Sequence, residues 1–392
     1  MKDFFLVTFW SGVVVIGYTY IGYPILIFCL AKIRSLFGRR FPAAPESDLP
    51  ALTIIIAAYN EERFIEEKIQ NTLALDYPVE KRKIFIVTDG STDNTQELAK
   101  NFPAVSVFHQ DERRGKIHAV NRTIPLVVTP ITVFSDANTL LNTGALKKMA
   151  RHYRDASVGG VAGEKRIASK KNDNSAASGE GLYWRYESFI KKNDSDFYSI
   201  VGAAGELFSI RTELFDPPSS DVIIEDFYVS MQVAAKGYRF VYEPEAYAVE
   251  AASATTLDEW KRKVRISAGG LQAVLRLSEL INPFRFGALS FQYISHRVLR
   301  WTLAPFSLLT IFLSGFWLAS QQIYFYRVLF GLQMLFYAAA LLGYMQRERK
   351  VSIKIFFVPF YFAMMNLAVF VGAIRFLRGK QSAVWEKTNR AF

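Results

Sequence analysis

The sequence is poor in cysteine and histidine. The single cysteine, Cys29, excludes an intramolecular disulfide. The four histidines, His109, His118, His152 and His296, are scattered without the spacing that holds a metal. Nothing in this usage points to an oxidised, secreted domain. The sequence also has no Walker lysine motif and no Gly-x-Gly-x-x-Gly, which disfavours P-loop phosphoryl transfer and a dinucleotide cofactor. No long basic arm or nucleic-acid-binding motif accompanies the net charge of +11, so nucleic acid is not an expected partner.

What is present is strongly segregated. Phe4–Ala31 is almost uncharged and long enough to span a bilayer. It is too long for a signal peptide, and its start carries only Lys2 against Asp3. The basic cluster lies after it, at Lys32–Arg40, so the positive-inside rule places the N-terminus outside and the middle of the chain in the cytoplasm. Further apolar segments cover Trp301–Ser320, Ile323–Met345 and Ile353–Leu377, the first two joined as a hairpin at Gln321-Gln322. A third single crossing would carry the basic tail "RGKQSAVWEKTNR" outside, against the same rule. A re-entrant segment, a break at Pro359, entry of Pro283–Tyr293 into the membrane, or an exception to the rule would each remove the conflict. The basic flanks account for much of the net charge and suit anionic lipid head groups.

Between these segments, Leu49 to about Thr256 repeats strand, polar turn and helix. Strands are expected at Leu52–Ala57, Ile84–Val87 and Ile131–Phe134, with a helix through Ile65, Ile69 and Leu73 and another from about Asn94. Such repetition builds a mainly parallel sheet with helices on its faces. Ligands bind beyond the carboxyl ends of its strands, where this sequence delivers Asn60-Glu61-Glu62, Asp89 and Asp136. Taken singly, each acid is more often a turn or cap residue than a functional one. "DERRGKIHAVN" sets Arg113, Arg114 and Lys116 around Gly115 before a helix; a solvated charge run and a diphosphate cradle both fit. "VGAAGELFSIR" offers Gly202 and Gly205 where an acceptor could approach the backbone, or a plain turn. "IIED" ends in Glu225 and Asp226 before a helix, so either acid is a cap or a proton acceptor. Leu257–Leu280 reads as an amphipathic helix lying on the membrane surface.

The ordered set "AAYNEE", "VTDGSTDNT", "RRGKIHAVN", "FSDAN", "GAAGELFSIR", "IIED" and "WKRKVRISAGGLQ" resembles the membrane-integrated family 2 glycosyltransferases that make cellulose, hyaluronan and poly-N-acetylglucosamine. The resemblance spans roughly residues 50–275. It implies an α/β GT-A-type, Rossmann-like nucleotide-sugar domain inserted between transmembrane helices. The implied organisation is an N-terminal helix and basic flank (1–40), a cytoplasmic catalytic domain (41–256), interfacial helices (257–298), C-terminal transmembrane helices (299–378) and a basic tail (379–392).

It further implies donor binding by Asn60, Glu62, Asp89, Lys116, Asp136, Asn138, Arg262 and Arg265, acceptor contacts at Gly202, Gly205 and Glu206, and Mg²⁺ or Mn²⁺ held at Asp136. Asp226 aligns with the general base and Glu225 supports it. The implied donor is a nucleotide sugar, a UDP-sugar first, and the acceptor a saccharide or lipid-linked saccharide. Transfer inverts the anomeric centre at the inner membrane. A second copy or an accessory subunit is the expected route to a channel, since four spans are few. The sequence departs from the family twice. Asn138 stands where the second acid of the metal motif is expected. Arg262 and Ile266 replace the Gln and Trp of the polymerising motif, which turns expectation toward single transfer or short oligomers. Transfer of one sugar to a membrane lipid is the runner-up, and a non-catalytic nucleotide-sugar-binding scaffold the alternative of another class. The tail "AVWEKTNR" either folds under the cytoplasmic opening onto nucleotide or is a disordered basic tail.

Overall fold

The computed structural model describes residues 1–37, 48–168, 175–253, 255–347, 354–382 and 384. The sheet comprises β1 (Leu52–Ala58), β2 (Arg82–Asp89), β3 (Ser106–Gln110), β4 (Ile131–Asp136), β5 (Thr139–Leu141), β6 (Val158–Ala168), β7 (Leu207–Arg211) and β8 (Arg239–Ala251). Their order across the sheet is β3-β2-β1-β4-β7-β6-β8-β5. β1 pairs in parallel with β2 and β4, and β2 with β3, whereas β7 runs antiparallel to β4 and β6. The parallel half is thus the arrangement expected from the strand–turn–helix repeat. The strands run slightly further than expected, so Asp89 and Asp136 are the last residues of β2 and β4 rather than loop residues.

The apolar run of β1 is buried on both faces, as a central parallel strand requires. Ile54 and Ile56 pack on one side with Ile65 and Ile69. Ile55 packs on the other with Phe134, Val120 and Phe208. The helices of this layer are α3 (Ile65–Leu73), α4 (Thr95–Lys100), α5 (Lys116–Thr123), α6 (Ala145–Ala150), α7 (Ser175–Phe197) and α8 (Glu225–Ala235). They follow an N-terminal pair, α1 (Lys2–Gly17) and α2 (Tyr23–Ser35), which a π-helical turn at Tyr18–Gly22 joins into one continuous rod. Beyond the sheet lie α9 (Thr256–Arg276), the short α10 (Pro283–Phe286), α11 (Ala288–Tyr293) and α12 (Leu299–Trp301), then α13 (Leu303–Ser320), α14 (Tyr324–Met345) and α15 (Lys354–Leu377).

Among the described residues, four helices are long and apolar enough to cross a membrane: Lys2–Ser35, Leu303–Ser320, Tyr324–Met345 and Ile355–Leu377. At 34 residues the first is longer than a bilayer needs, and its two halves do different work. α1 packs on α13, with Gly12 against Ile311 and Phe5 stacked on Trp317. α2 packs on α7, with Phe28 stacked on Phe189 and the Tyr23 hydroxyl donating to Asp194.

The path of the last helix shows where the chain goes before the basic tail. α15 is unbroken through Pro359. It runs alongside α9: Tyr361 donates to Glu259 at 2.9 Å, and a turn or more further on Gly372 abuts Val264, Ser267 and Ala268. Val384 then reaches Gly115 of the sheet domain. The chain after α15 therefore returns to the sheet domain. Pro283–Tyr293 forms two short helices, not a further span. Tail residues 385–392 lie outside the described residues.

α9 begins with Thr255 as a side-chain cap on the Asp258 amide. One face buries Val264, Ala268 and Gly269, the last pressed against Ile223 and Ile224. Gln272 closes the same contact, accepting from the Ile223 amide at 3.0 Å and donating to the Asp221 carbonyl at 2.9 Å. The amphipathic helix is thus sandwiched between the "IIED" loop and α15.

Candidate active site

Three chain segments converge around Gly205. An ideal Cβ on this glycine would lie 3.2 Å from Lys116 Nζ, 3.3 Å from Asp226 Oδ2 and 3.7 Å from Asp136 Oδ2. Lys116 comes from the first turn of α5, Asp136 from the end of β4 and Asp226 from the first turn of α8. Lys116 Nζ bridges Asp136 Oδ1 at 2.6 Å and Glu225 Oε1 at 2.9 Å. Burial works against its charge, but Asp136 and Glu225 outweigh it and hold the ammonium well above the ordinary lysine range.

The two adjacent acids are not equivalent. Ile224, just before α8, is its N-cap residue, and no side chain caps this end, so neither acid serves as the cap. Both occupy the first turn, where the helix dipole favours negative charge. Burial raises the pKa of both, yet Lys116 and then Arg265 bring Glu225 below the ordinary glutamate value. Asp226 is raised to about 6 by burial, with the Glu225 charge adding to it and Lys116 opposing.

Arg265 lies on α9, where its Nη2 donates to the Ile223 carbonyl at 2.7 Å. This bond orients the guanidinium beside Glu225 and Asp226. Arg262 lies one turn earlier, with Nη1 3.7 Å from Glu259. Glu206 does not stand free over the site. It pairs with the fully buried Lys165, which also pairs with Glu250. Against burial, Lys165 and Arg262 hold Glu206 well below the ordinary glutamate value.

Two cavities meet at Lys116 and Asp136. The smaller is the cleft over β1 and β2, lined by Tyr59, Glu61, Asp89, Arg113 and Asn138, with Val384 across it. Asp89 Oδ2 accepts the amides of Arg114 (3.0 Å) and Gly115 (2.6 Å) and so shapes the basic loop. Arg113 lies 3.7 Å above the Tyr59 ring. The larger cavity, about 860 Å³, extends from Gly205 and Asp226 past Arg265 and Ile266 to Tyr361 and Phe362 of α15.

The structure places three of the sequence-expected residues elsewhere. Asn60, at φ 54°, turns its side chain to the Thr92 amide (2.8 Å), and Glu62 accepts from Asn94 (3.3 Å). Both clasp the loop after β1 to the loop after β2; neither lines a cavity, whereas their neighbours Tyr59 and Glu61 do. Gly202 is likewise absent from both cavity walls. Its φ of 87° and the Phe227 ring, 2.1 Å from where a Cβ would be, account for the glycine. One residue unforeseen in the sequence is Lys68, buried beneath the site. Its Nζ donates to Ser135 Oγ (2.7 Å) and the Thr139 carbonyl (2.8 Å), fixing both sides of Asp136. Burial lowers this lysine to about 7, with Asp136 opposing.

No group of three or more His, Cys, Asp or Glu side chains that could hold a metal occurs among the described residues. Asp136 with the Asn138 carbonyl is too small a set for a resident ion. It fits a hard cation that arrives with a diphosphate, because such ions take one or two carboxylates and complete their shell with phosphate oxygens.

A mixed sheet with this strand order, acids at the carboxyl edge of its parallel half and a second cavity alongside defines the GT-A-type class of nucleotide-sugar folds. Comparison with known proteins agrees. Residues 53–217 match the family model "Glycosyl transferase family 2". The chain is 31% identical over 255 residues to the poly-beta-1,6-N-acetyl-D-glucosamine synthase of Staphylococcus aureus, covering 62% of this chain and 60% of that one. It is 28% identical over 235 residues to the synthase of the same name from Staphylococcus epidermidis, covering 57% and 56%. The match thus spans about 60% of the length of these relatives. Among solved structures, the mannosyltransferase PcManGT from Pyrobaculum calidifontis, in complex with GDP-Man and Mn²⁺, superposes with a TM-score of 0.71 over 94% of this chain and 99% of that one. At 22% identity this is a likeness of fold. Residues 53–217 are thus similar to a family 2 glycosyltransferase domain.

Proposed function

We propose that the protein transfers a sugar, with inversion, from a nucleotide-sugar donor to a saccharide acceptor, in the synthesis of an exopolysaccharide or cell-surface glycan. The observation that carries this reading is the convergence of Lys116, Asp136 and Asp226 on Gly205 between the two cavities. The names of the synthases from Staphylococcus support the class of product.

In this reading the nucleoside occupies the small cleft at Asp89, and the diphosphate lies by Lys116, Asp136, Asn138, Arg262 and Arg265. Asp136 would take a divalent ion, Mg²⁺ or Mn²⁺, together with the donor's own oxygens. When bound, such an ion offsets the charge that develops on the leaving diphosphate. Lys116 and Arg265 face the same charge with fixed cations in a buried site, where they act without reorganisation.

The acceptor enters the larger cavity, with its hydroxyl between Gly205 and Asp226. A sugar hydroxyl is a poor nucleophile at neutral pH. Asp226 accepts its proton as the oxygen attacks the anomeric carbon and the bond to the diphosphate breaks. A carboxylate raised to about 6 is still ionised at pH 7 and is more basic than an ordinary aspartate. Glu225 keeps Lys116 in place and, by its charge, raises its neighbour. The positive-inside pattern supports a catalytic domain on the cytoplasmic face of the inner membrane, with the four apolar helices as anchor.

Ile266, which stands in place of the Trp of the polymerising motif, lines the acceptor cavity. This favours, as a second reading, one transfer to a membrane lipid over long polymerisation. A screen of UDP-, GDP- and other activated sugars in nanodiscs, reading nucleotide release and product size, tests both. Release without any glycosylated product would count against transfer, and a long polymer would count against the second reading.

A further inference from the structure

The large cavity is lined, besides the cations near Gly205, by Lys191, Arg297 and Arg300. Lys191 of α7 is 4% exposed and lines this cavity. Its ammonium lies 5.7 Å from the Trp184 ring and makes no hydrogen bond or ion pair among the described residues. Arg297 and Arg300 line it too. Both reach a single carboxylate, Glu187, Arg297 at 2.9 Å and Arg300 in a closer pair.

Glu164 accepts from Ser188 at 2.8 Å and its charge also reaches Lys191, while the other neighbouring acids are engaged elsewhere. Asp194 is held by His296 at 2.7 Å, by Tyr23 and by Gln292. Glu206 and Glu250 both go to Lys165. Arg297 and Arg300 thus share one carboxylate, and Lys191 pairs with none among the described residues. Buried charges are ordinarily paired, and a lysine can otherwise shed its proton only by lowering its pKa. Burial and the Arg297 charge do push Lys191 below the ordinary lysine range.

The surroundings define what would pair with it. The cavity continues from these residues to Tyr20, Phe357, Phe362 and Met365, all from helices long and apolar enough to cross a membrane. A ligand that satisfies both halves has an anionic head and a hydrocarbon body. The donor's own diphosphate has separate cations at Lys116 and Arg265.

We propose that Lys191 and Arg297 form a subsite for the phosphate of a membrane lipid that carries the acceptor into the cavity. This rests on the reading of the large cavity as the acceptor site. The phosphate is bound as an anion there, and no bond to it is made or broken. Lys191 is a positioning residue for the acceptor and is not placed at the reacting atoms.

The test uses the full chain in phosphatidylcholine nanodiscs. Equilibrium binding is measured for a polyprenyl phosphate, the matching polyprenol and inorganic phosphate, in the wild type, Lys191→Gln and Lys191→Arg. A charge-assisted hydrogen bond corresponds to about tenfold in affinity or more. The expected result is that polyprenyl phosphate binds about tenfold more tightly than polyprenol, that Lys191→Gln removes the difference and Lys191→Arg restores it, and that inorganic phosphate does not displace the lipid. Equal binding of lipid phosphate and polyprenol by the wild type overturns the proposal even if the variants do not fold. Displacement by inorganic phosphate assigns the site to a soluble anion and also overturns it. So does a parallel loss of nucleotide-sugar affinity in Lys191→Gln, which would give the lysine to the donor. Nucleotide release by the wild type, measured separately, bears on the transferase reading alone.

Discussion

Lys116 Nζ lies 2.9 Å from Glu225 Oε1, and this one ion pair distinguishes two neighbouring acids. Glu225 is neutralised and held below its ordinary pKa. Asp226, equally buried beside it, is raised to about 6. One acid is thereby fixed as an anion, and the other is left able to exchange a proton near neutral pH. A helix start is a place where both can sit, since its dipole favours the negative charge they share.

This difference predicts a pH profile. If Asp226 must be ionised to act, kcat/KM rises with pH through about 6 and then levels. Below that limb, activity falls about tenfold per pH unit. The Glu225 charge is one of the causes of the raised value, so Glu225→Gln should move the limb to lower pH. Initial rates between pH 4.5 and 8 for both proteins measure the shift; a limb that stays in place would remove Glu225 from the account.

Gly202 should act through folding rather than through the acceptor. A Cβ there meets the Phe227 ring at 2.1 Å, in a backbone conformation with φ of 87°. Gly202→Ala is expected to lower stability by about 2 kcal/mol or more, seen as a reduced thermal midpoint in detergent. The acceptor KM of the folded fraction should be unchanged. A raised KM at full stability would restore the acceptor role.

Asp136→Ala should weaken metal-dependent donor binding and leave metal-independent binding largely as it is. Titration of the donor with and without Mg²⁺ or Mn²⁺ measures the difference. Because Lys68 holds Ser135 and Thr139 on either side, the loop should keep its shape in this variant. The same metal dependence as the wild type would exclude the aspartate from ion binding.

Much of the sheet could be read from the chain, and the reason is local. Continuous apolar runs followed by an acid, as in Ile131–Asp136, specify a buried parallel strand and what it delivers to the edge. The amphipathic reading of Leu257–Leu280 had the same basis, and α9 occupies most of it. Side-chain direction in loops was not local. Asn60 and Glu62 turn away from the cleft because the loop after β2, thirty residues on, offers them amides. Lys68 and Lys191 occur in ordinary helical stretches, and only packing shows one buried under Asp136 and the other facing a cavity. Gln272, which holds the "IIED" loop, ends the stretch "WKRKVRISAGGLQ", and nothing in that pattern shows which loop it reaches.

The path of α15 was open for a similar reason. Hydropathy gives the length of an apolar helix and not its direction. Its contact with α9, through Tyr361 and Gly372, decides where the following chain goes.

The central claim is that Asp226 takes the acceptor proton while other residues hold the donor. The most direct measurement is Asp226→Asn in nanodiscs, with donor affinity by equilibrium binding and transfer by product formation. The account predicts donor affinity close to that of the wild type and transfer reduced by about 10²–10⁴-fold or more. Turnover near the wild-type rate, with donor binding intact, would contradict it.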